Sequence, residues 1–382
     1  MSKEETILPQ KSKKLKVLKF IGIATAGAIA VVIIVITSLT MIYPAILRSA
    51  HRIDNPYGID SMEVVEIGGI SQTLHFRGQD IGNPAILFLH GGPGSPSIPL
   101  LHDFQFELEH YFTIVHWDQR NAGKTYLLNN PAEVLETLTF ERVLVDTYEV
   151  VQFIKNKLAV EQVIIVGYSW GSVLGTAFVQ AYPQYVSAYI AIGQNVNSRE
   201  NKRLSFEALL EAAQASGDSR HIAAVEALGH PPQGKFGEEW VSYITNLQIL
   251  SQRHGFSADL FQFAQLIMTS PYYTLGERIN FLTSGADRLR YQMPLLEFMF
   301  DENFDIRNFG IVYEVPVFYI MGELDRQTSY QLAKEFFEEI YAPFKSFFSI
   351  PNAGHAPMHE NTAEFNRVLI EEIRPFFNNV SI

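Results

Sequence analysis

The chain has 382 residues, 47% of them hydrophobic and 18% charged, with a formal net charge of −12. That length allows one large α/β domain with an insertion, or two domains, and so acidic a balance argues against a nucleic-acid-binding face. The absence of cysteine excludes disulfides, thiolate metal sites and a cysteine nucleophile.

The charge is unevenly spread. Residues 1–50 carry seven Lys/Arg against Glu4 and Glu5, so that segment is +5 and the rest of the chain −17. Residues 20–47 hold no charged side chain, and residues 20–43, taken as a helix, would cross a hydrocarbon core of ~30 Å. A cleaved signal peptide would have an apolar region of only about 7 to 15 residues. The segment therefore reads as one transmembrane helix over 20–43, after a cytoplasmic tail over 1–19. Lysines crowd its N-terminal side, whereas only Arg48 and Arg52 follow closely. The positive-inside bias then predicts a single-pass cell-membrane protein whose globular part lies outside the cytoplasm. Residues 44–60, with Asn55-Pro56 and Tyr57-Gly58, read as a linker.

Residues 62–67 and 70–76 are β-like runs about Gly68-Gly69, which predicts a hairpin. A buried-strand pattern over 85–90 runs straight into Gly91-Gly92-Pro93-Gly94-Ser95-Pro96. A backbone so rich in glycine brings its amides close to a ligand, and in a serine hydrolase such amides stabilise the tetrahedral oxyanion. A phosphate loop is disfavoured, because no Gly-Lys-Ser/Thr follows. The strand over 112–117 ends in Asp118-Gln119-Arg120-Asn121, where Asn121 tolerates a left-handed turn. Residues 139–158 have helical spacing.

Residues 163–171 read Val-Ile-Ile-Val-Gly-Tyr-Ser-Trp-Gly, a β-branched run ending in Gly-x-Ser-x-Gly with Ser169 at its centre. A helical pattern over 172–182 follows and stops at Pro183. This is the strand-turn-helix context of a nucleophile elbow: the serine takes a strained conformation that only small neighbours tolerate, and its hydroxyl is pushed out at the strand end. Residues 187–193 close the first half. Strands alternating with helices predict a mostly parallel sheet covered on both faces.

Between 194 and about 308 the strand rhythm disappears. Residues 204–215, 222–228, 238–250 and 258–268 are amphipathic and helix-like, so 194–308 reads as an inserted helical cap whose aromatics are mostly core. The strand pattern resumes at 315–321 and ends in Gly322-Glu323-Leu324-Asp325. A helix over 329–341, a strand over 346–350, the stretch Pro351-Asn352-Ala353-Gly354-His355 and a helix over 361–377 complete the chain. The core domain is thus 61–193 together with 309–382.

A serine hydroxyl needs a base, and the base needs a carboxylate to fix its tautomer. In this class of fold they come in the order Ser, acid, His. Asp325 and His355 follow strand ends in that order. Glu323 lies inside the turn, and His359 lies beyond Pro357 at a helix start, so both are less suitable. His90 reads as a residue that holds the glycine loop. The remaining histidines show no metal-ligand spacing, so no metal and no cofactor is expected.

With His90-Gly-Gly-Pro-Gly94, Asp118-Gln-Arg120, Gly167-Tyr-Ser-Trp-Gly171, Gly322-x-x-Asp325 and Gly354-His355 in this order, the chain resembles the proline iminopeptidase-like group of α/β-hydrolases over residues 61–382. The resemblance implies Ser169 as nucleophile, Asp325 as acid, His355 as base, and the amides of Gly92 and Trp170 as the oxyanion hole. It implies removal of an N-terminal residue from small peptides, with a cap glutamate holding the substrate ammonium; Glu200 is the first candidate, with Glu207, Glu211, Glu238 and Glu239 behind it. Tyr168, Asn121 and Thr125 stand where that group usually has Gly, Gly and Ser. A carboxylesterase or lipase-like enzyme acting on small acyl substrates is the second reading, and a non-catalytic ligand receptor the third. A serine at the elbow excludes the superfamily's dehalogenases and epoxide hydrolases, which use a carboxylate there.

Overall fold

The computed structural model describes residues 10–256 and 260–377. Residues 1–9 of the expected tail, 257–259 around the start of the expected 258–268 helix, and 378–382 lie outside the described residues.

Eight strands form one sheet: β1 (Ile59–Ile67), β2 (Ile70–Gly78), β3 (Ala85–Leu89), β4 (Thr113–Asp118), β5 (Val163–Tyr168), β6 (Val186–Ile192), β7 (Val317–Gly322) and β8 (Lys345–Ile350). Their order is β1-β2-β4-β3-β5-β6-β7-β8. The β1-β2 hairpin joins β4 antiparallel, and every pairing from β4 through β8 is parallel. β3, β4 and β7 are buried along their whole length, as parallel strands covered on both faces must be. Helices Phe140–Leu158 and Trp170–Ala181 cover one face, burying Val143, Val150, Ile154, Val173 and Phe178. On the other face Ile98, Leu101, Phe104, Phe365 and Leu369 pack against Ile86, Phe88 and Val166.

Between β6 and β7 there are no strands among the described residues. Helices Ser198–Ser216, Ser219–Leu228, Glu238–Ser251, Leu260–Met268, Leu275–Thr283 and Met293–Met299 succeed one another, and Phe206, Leu209, Val225, Tyr243 and Leu247 make a small core of their own. Trp240, Tyr272, Tyr273, Phe281 and Phe300 are buried, whereas Phe261 is exposed.

Four expected boundaries move. The N-terminal helix does not end at Tyr43: Gln10–Thr37 continues through a π turn, Ser38–Ile42, into Tyr43–Ala50. Pro44 does not stop it: it sits in the first turn of that last segment, and the Thr40 carbonyl four residues back, which its missing N–H cannot bond, accepts from Arg278 instead. The expected linker over 44–60 is therefore helical to Ala50, and β1 begins at Ile59 rather than 62. The expected 361–377 helix is divided into Thr362–Arg367, a π turn and a 3₁₀ turn. The elbow helix starts at Trp170, directly after the serine.

Candidate active site

Parallel strands all point the same way, so the loops after β3, β5, β7 and β8 gather at one edge of the sheet, where α/β folds place their ligands. After β5, Ser169 adopts φ 55° and ψ −114°, left-handed geometry that an L side chain holds only when its surroundings over-determine it. The surroundings do so. The Ser169 amide donates to the Ile192 carbonyl at 2.9 Å and its carbonyl accepts from the Ser172 amide at 2.8 Å. At Gly171 a Cβ would stand 2.1 Å from the Leu89 carbonyl oxygen, so only glycine lets the elbow helix pass this close to the end of β3.

Ser169 Oγ lies 3.0 Å from His355 Nε2, and His355 Nδ1 lies 3.0 Å from Asp325 Oδ2. Asp325 and His355 are both buried, and Ser169 is 8% exposed. The loop after β7 secures the carboxylate: the amides of Gln327 and Thr328 each donate to Asp325 Oδ1 at 2.9 Å, and the Thr328 hydroxyl donates to Oδ2 at 2.7 Å. Burial, the largest influence on the Asp325 carboxyl, pushes it up. The charge and hydrogen bond of His355 and the Thr328 donors outweigh burial and hold the carboxyl below its ordinary range. An ionised Asp325 favours the tautomer with its proton on Nδ1, which leaves Nε2 to accept from the serine.

The loop that bears His355 is shaped by a carboxylate not singled out in the sequence. Glu360 accepts from the Gly354 amide at 2.5 Å and from the Ala356 amide at 2.9 Å. His359, the alternative base, instead pairs with Asp103 at 2.8 Å. Glu323, the alternative acid, is exposed.

The glycine loop lies against the elbow: a Cβ on Gly91 would stand 3.0 Å from the Tyr168 ring and 3.4 Å from Ser169 Cβ. Trp170, first residue of its helix, has an amide with no intrahelical acceptor, and Gly92 takes φ 114°. A buried chain of hydrogen bonds links the two segments. His90 Nδ1 donates to the Gly91 carbonyl at 2.8 Å, His90 Nε2 accepts from the Gln119 amide at 3.3 Å, and Gln119 Oε1 accepts from the Trp170 indole at 3.0 Å. Burial pushes His90 down to about 4, so the ring is neutral at physiological pH and can both donate and accept, consistent with a residue that holds the loop.

Arg120 turns away from this edge. It pairs with Asp146 and donates to the Gly68 carbonyl at 2.5 Å and to Thr137 at 3.1 Å, tying the β1-β2 turn to the helix over Phe140–Leu158. Glu200 does not join the cluster. Both its oxygens bond Arg203, at 2.5 and 2.8 Å, and Arg203 also bonds Glu207, on the outer side of helix Ser198–Ser216. Glu211, Glu238 and Glu239 are exposed. The face of that helix turned to the site offers Asn201, whose Oδ1 accepts from the Ser329 amide at 2.9 Å, and Lys202, whose Nζ donates to the Gln327 carbonyl at 3.3 Å. Burial pushes the Lys202 ammonium down to about 8, against the pull of Asp325. Among the described residues no group of three or more His, Asp or Glu could hold a metal ion.

A strained serine between a parallel strand and a helix, bonded to a histidine that a buried aspartate orients, defines the α/β-hydrolase class. The profile of the alpha/beta hydrolase fold matches residues 84–362, and the chain belongs to that family. It is 29% identical over 322 residues to a Bacillus subtilis protein named "Probable aminopeptidase YbaC", covering 82% of this chain and 96% of that one. It is 32% identical over 148 residues to a proline iminopeptidase of Arabidopsis thaliana, an alignment that covers 38% of this chain and 35% of the relative. Among solved structures, the crystal structure of a proline iminopeptidase-related protein from Thermus thermophilus superposes with a TM-score of 0.55 at 21% identity, over 81% of this chain and 97% of that one. This last likeness concerns the fold.

Proposed function

We propose that the protein is a membrane-anchored serine hydrolase, an aminopeptidase of the proline iminopeptidase type that acts through an acyl-enzyme without a cofactor. The observation that carries the reading is the continuous Ser169–His355–Asp325 hydrogen-bond path, with both links at 3.0 Å. Ser169 Oγ attacks the scissile carbonyl carbon as its proton passes to His355 Nε2, and the carbonyl oxygen becomes an oxyanion facing the Gly92 and Trp170 amides. The intermediate collapses when the imidazolium protonates the leaving amine. Water, deprotonated by the same nitrogen, then attacks the ester and releases the acid and the serine. Asp325 stays ionised throughout and stabilises the imidazolium.

The long alignment with the aminopeptidase-named relative supports a peptide substrate. A second reading, an esterase of small acyl substrates, is favoured by the placement of Glu200. A buried ammonium needs a carboxylate partner, and Glu200 is already spent on Arg203. A paired assay on the full chain separates the two: amino-acyl arylamides with a free amine are expected to be cleaved better than matching nitrophenyl esters, and the opposite ranking establishes the esterase. The anchor reading rests on the helix Leu18–Ala50, in which an 18-residue stretch has a mean hydropathy of 2.6 and is unburied, with the basic residues on its N-terminal side.

A further inference from the structure

The N-terminal helix is fastened to the globular part at two levels. Near its end, the His51 ring stacks on Phe106 with centroids 3.7 Å apart, and the His51 carbonyl accepts from Arg77 Nη2 at 2.7 Å. Arg77 is itself locked by Glu109 and Asp60. Three turns earlier, the Thr40 carbonyl accepts from Arg278 Nη1 at 2.5 Å, and the same nitrogen donates to the Met268 carbonyl at 2.9 Å. Arg278 belongs to the helix Leu275–Thr283 and Met268 ends the helix Leu260–Met268, so this helix pair meets the N-terminal helix at Thr40.

The depth of that contact follows from helix geometry. The last charge before the apolar stretch is Lys19. A span beginning there exhausts a ~30 Å hydrocarbon core after ~20 residues, which is the level of Thr40. The uncharged stretch continues to Leu47, and Met41, Ile42, Tyr43 and Ile46 remain 45–59% exposed. On the helix that bonds Thr40, Leu282 lies one turn beyond Arg278 on the same face, with Ile279 next in sequence to Arg278, and they are 37% and 48% exposed. Exposed apolar side chains of the N-terminal helix end and of the helix Leu275–Thr283 thus accompany the Thr40–Arg278 bond, at the level where a span counted from Lys19 leaves the hydrocarbon.

We infer that the helix pair Leu260–Met268 and Leu275–Thr283 rests in the bilayer interface, with Ile279 and Leu282 among the acyl-chain and headgroup boundary. The inference rests on the anchor proposed above, and its partner is the lipid surface itself. An amphipathic helix lying in the interface buries its apolar face about 5–10 Å deep. Held there, the catalytic edge of the sheet has a fixed height and tilt above the membrane.

The lack of native cysteine makes the test clean. Full-length Ile279→Cys, Leu282→Cys, Ile29→Cys and Val312→Cys, each labelled with an environment-sensitive fluorophore, are reconstituted in phosphatidylcholine vesicles with and without brominated acyl chains. Val312, 62% exposed, precedes β7 at the opposite edge of the sheet. Labels at 279 and 282 are expected to shift to the blue and to be quenched roughly twofold, the label at 29 more strongly and the label at 312 not at all. Quenching at 29 without quenching at 279 or 282 overturns the interfacial placement and leaves the anchor standing. No quenching at 29 overturns the anchor, and the placement with it.

Discussion

At the scale of single residues, the site depends on how Asp325 and His355 are held. Replacing Asp325 by Asn removes the acceptor that selects the Nδ1 proton, and kcat is expected to fall by about 10⁴ with the fold intact; a loss below tenfold in steady-state assays would remove Asp325 from the proposed mechanism. Thr328 is not visible as a partner in the sequence. Its signal is present nonetheless, since an aspartate whose carboxylate accepts from the amides two and three residues on makes a common local turn. Asp118 makes a different prediction. Burial pushes its carboxyl up to about 7, against the Lys124 amide and the Tyr273 hydroxyl. A folded pKa above the unfolded one gives a stability contribution that is full below the unfolded value and is lost as pH rises through about 7. Asp118→Asn should therefore flatten the fall of Tm between about pH 4 and 7, and parallel Tm curves for wild type and variant would show that this carboxyl does not titrate with folding.

At the scale of elements, two close approaches set the geometry. Gly171→Ala would place a methyl against the Leu89 backbone, which cannot yield as a side chain can. Chemical denaturation is expected to show a loss of at least about 1–3 kcal/mol, whereas unchanged stability would mean that β3 and the elbow helix do not meet as described. Arg120→Ala removes one of the two arginines on the buried Asp146 carboxylate and leaves Arg142 and Gln72 bonded to it, so it should cost less than the about 3–5 kcal/mol of an unpaired buried charge, with kcat of the folded fraction largely kept. A selective loss of kcat would instead make Arg120 part of the reaction. The strands, the elbow and the strand-end order of Ser169, Asp325 and His355 are legible because each is set by local backbone demands: a β-branched run, a turn that admits only small residues, a helix that begins at once. The place of Glu200 is not legible, because nothing local says which face of an amphipathic cap helix meets the core. Its pairing with Arg203 three residues on and Glu207 beyond marks that side as the solvated one. The true end of the N-terminal helix is hidden for a similar reason: Pro44 looks like a stop in the sequence and serves as a first-turn residue in the fold.

For the whole molecule, the proposed orientation predicts that protease added to intact cells shaves off the globular part and leaves the apolar helix behind; full protection would contradict an outward-facing domain. The central claim is that chain segments far apart in sequence, after β5, β7 and β8, form one proton-relaying cluster. Its most direct test is to react the full-length protein with a fluorophosphonate probe and locate the adduct by peptide mass spectrometry. The adduct is expected on Ser169, absent from Ser169→Ala and strongly reduced in His355→Ala. Labelling of Ser169→Ala to the wild-type extent would contradict it.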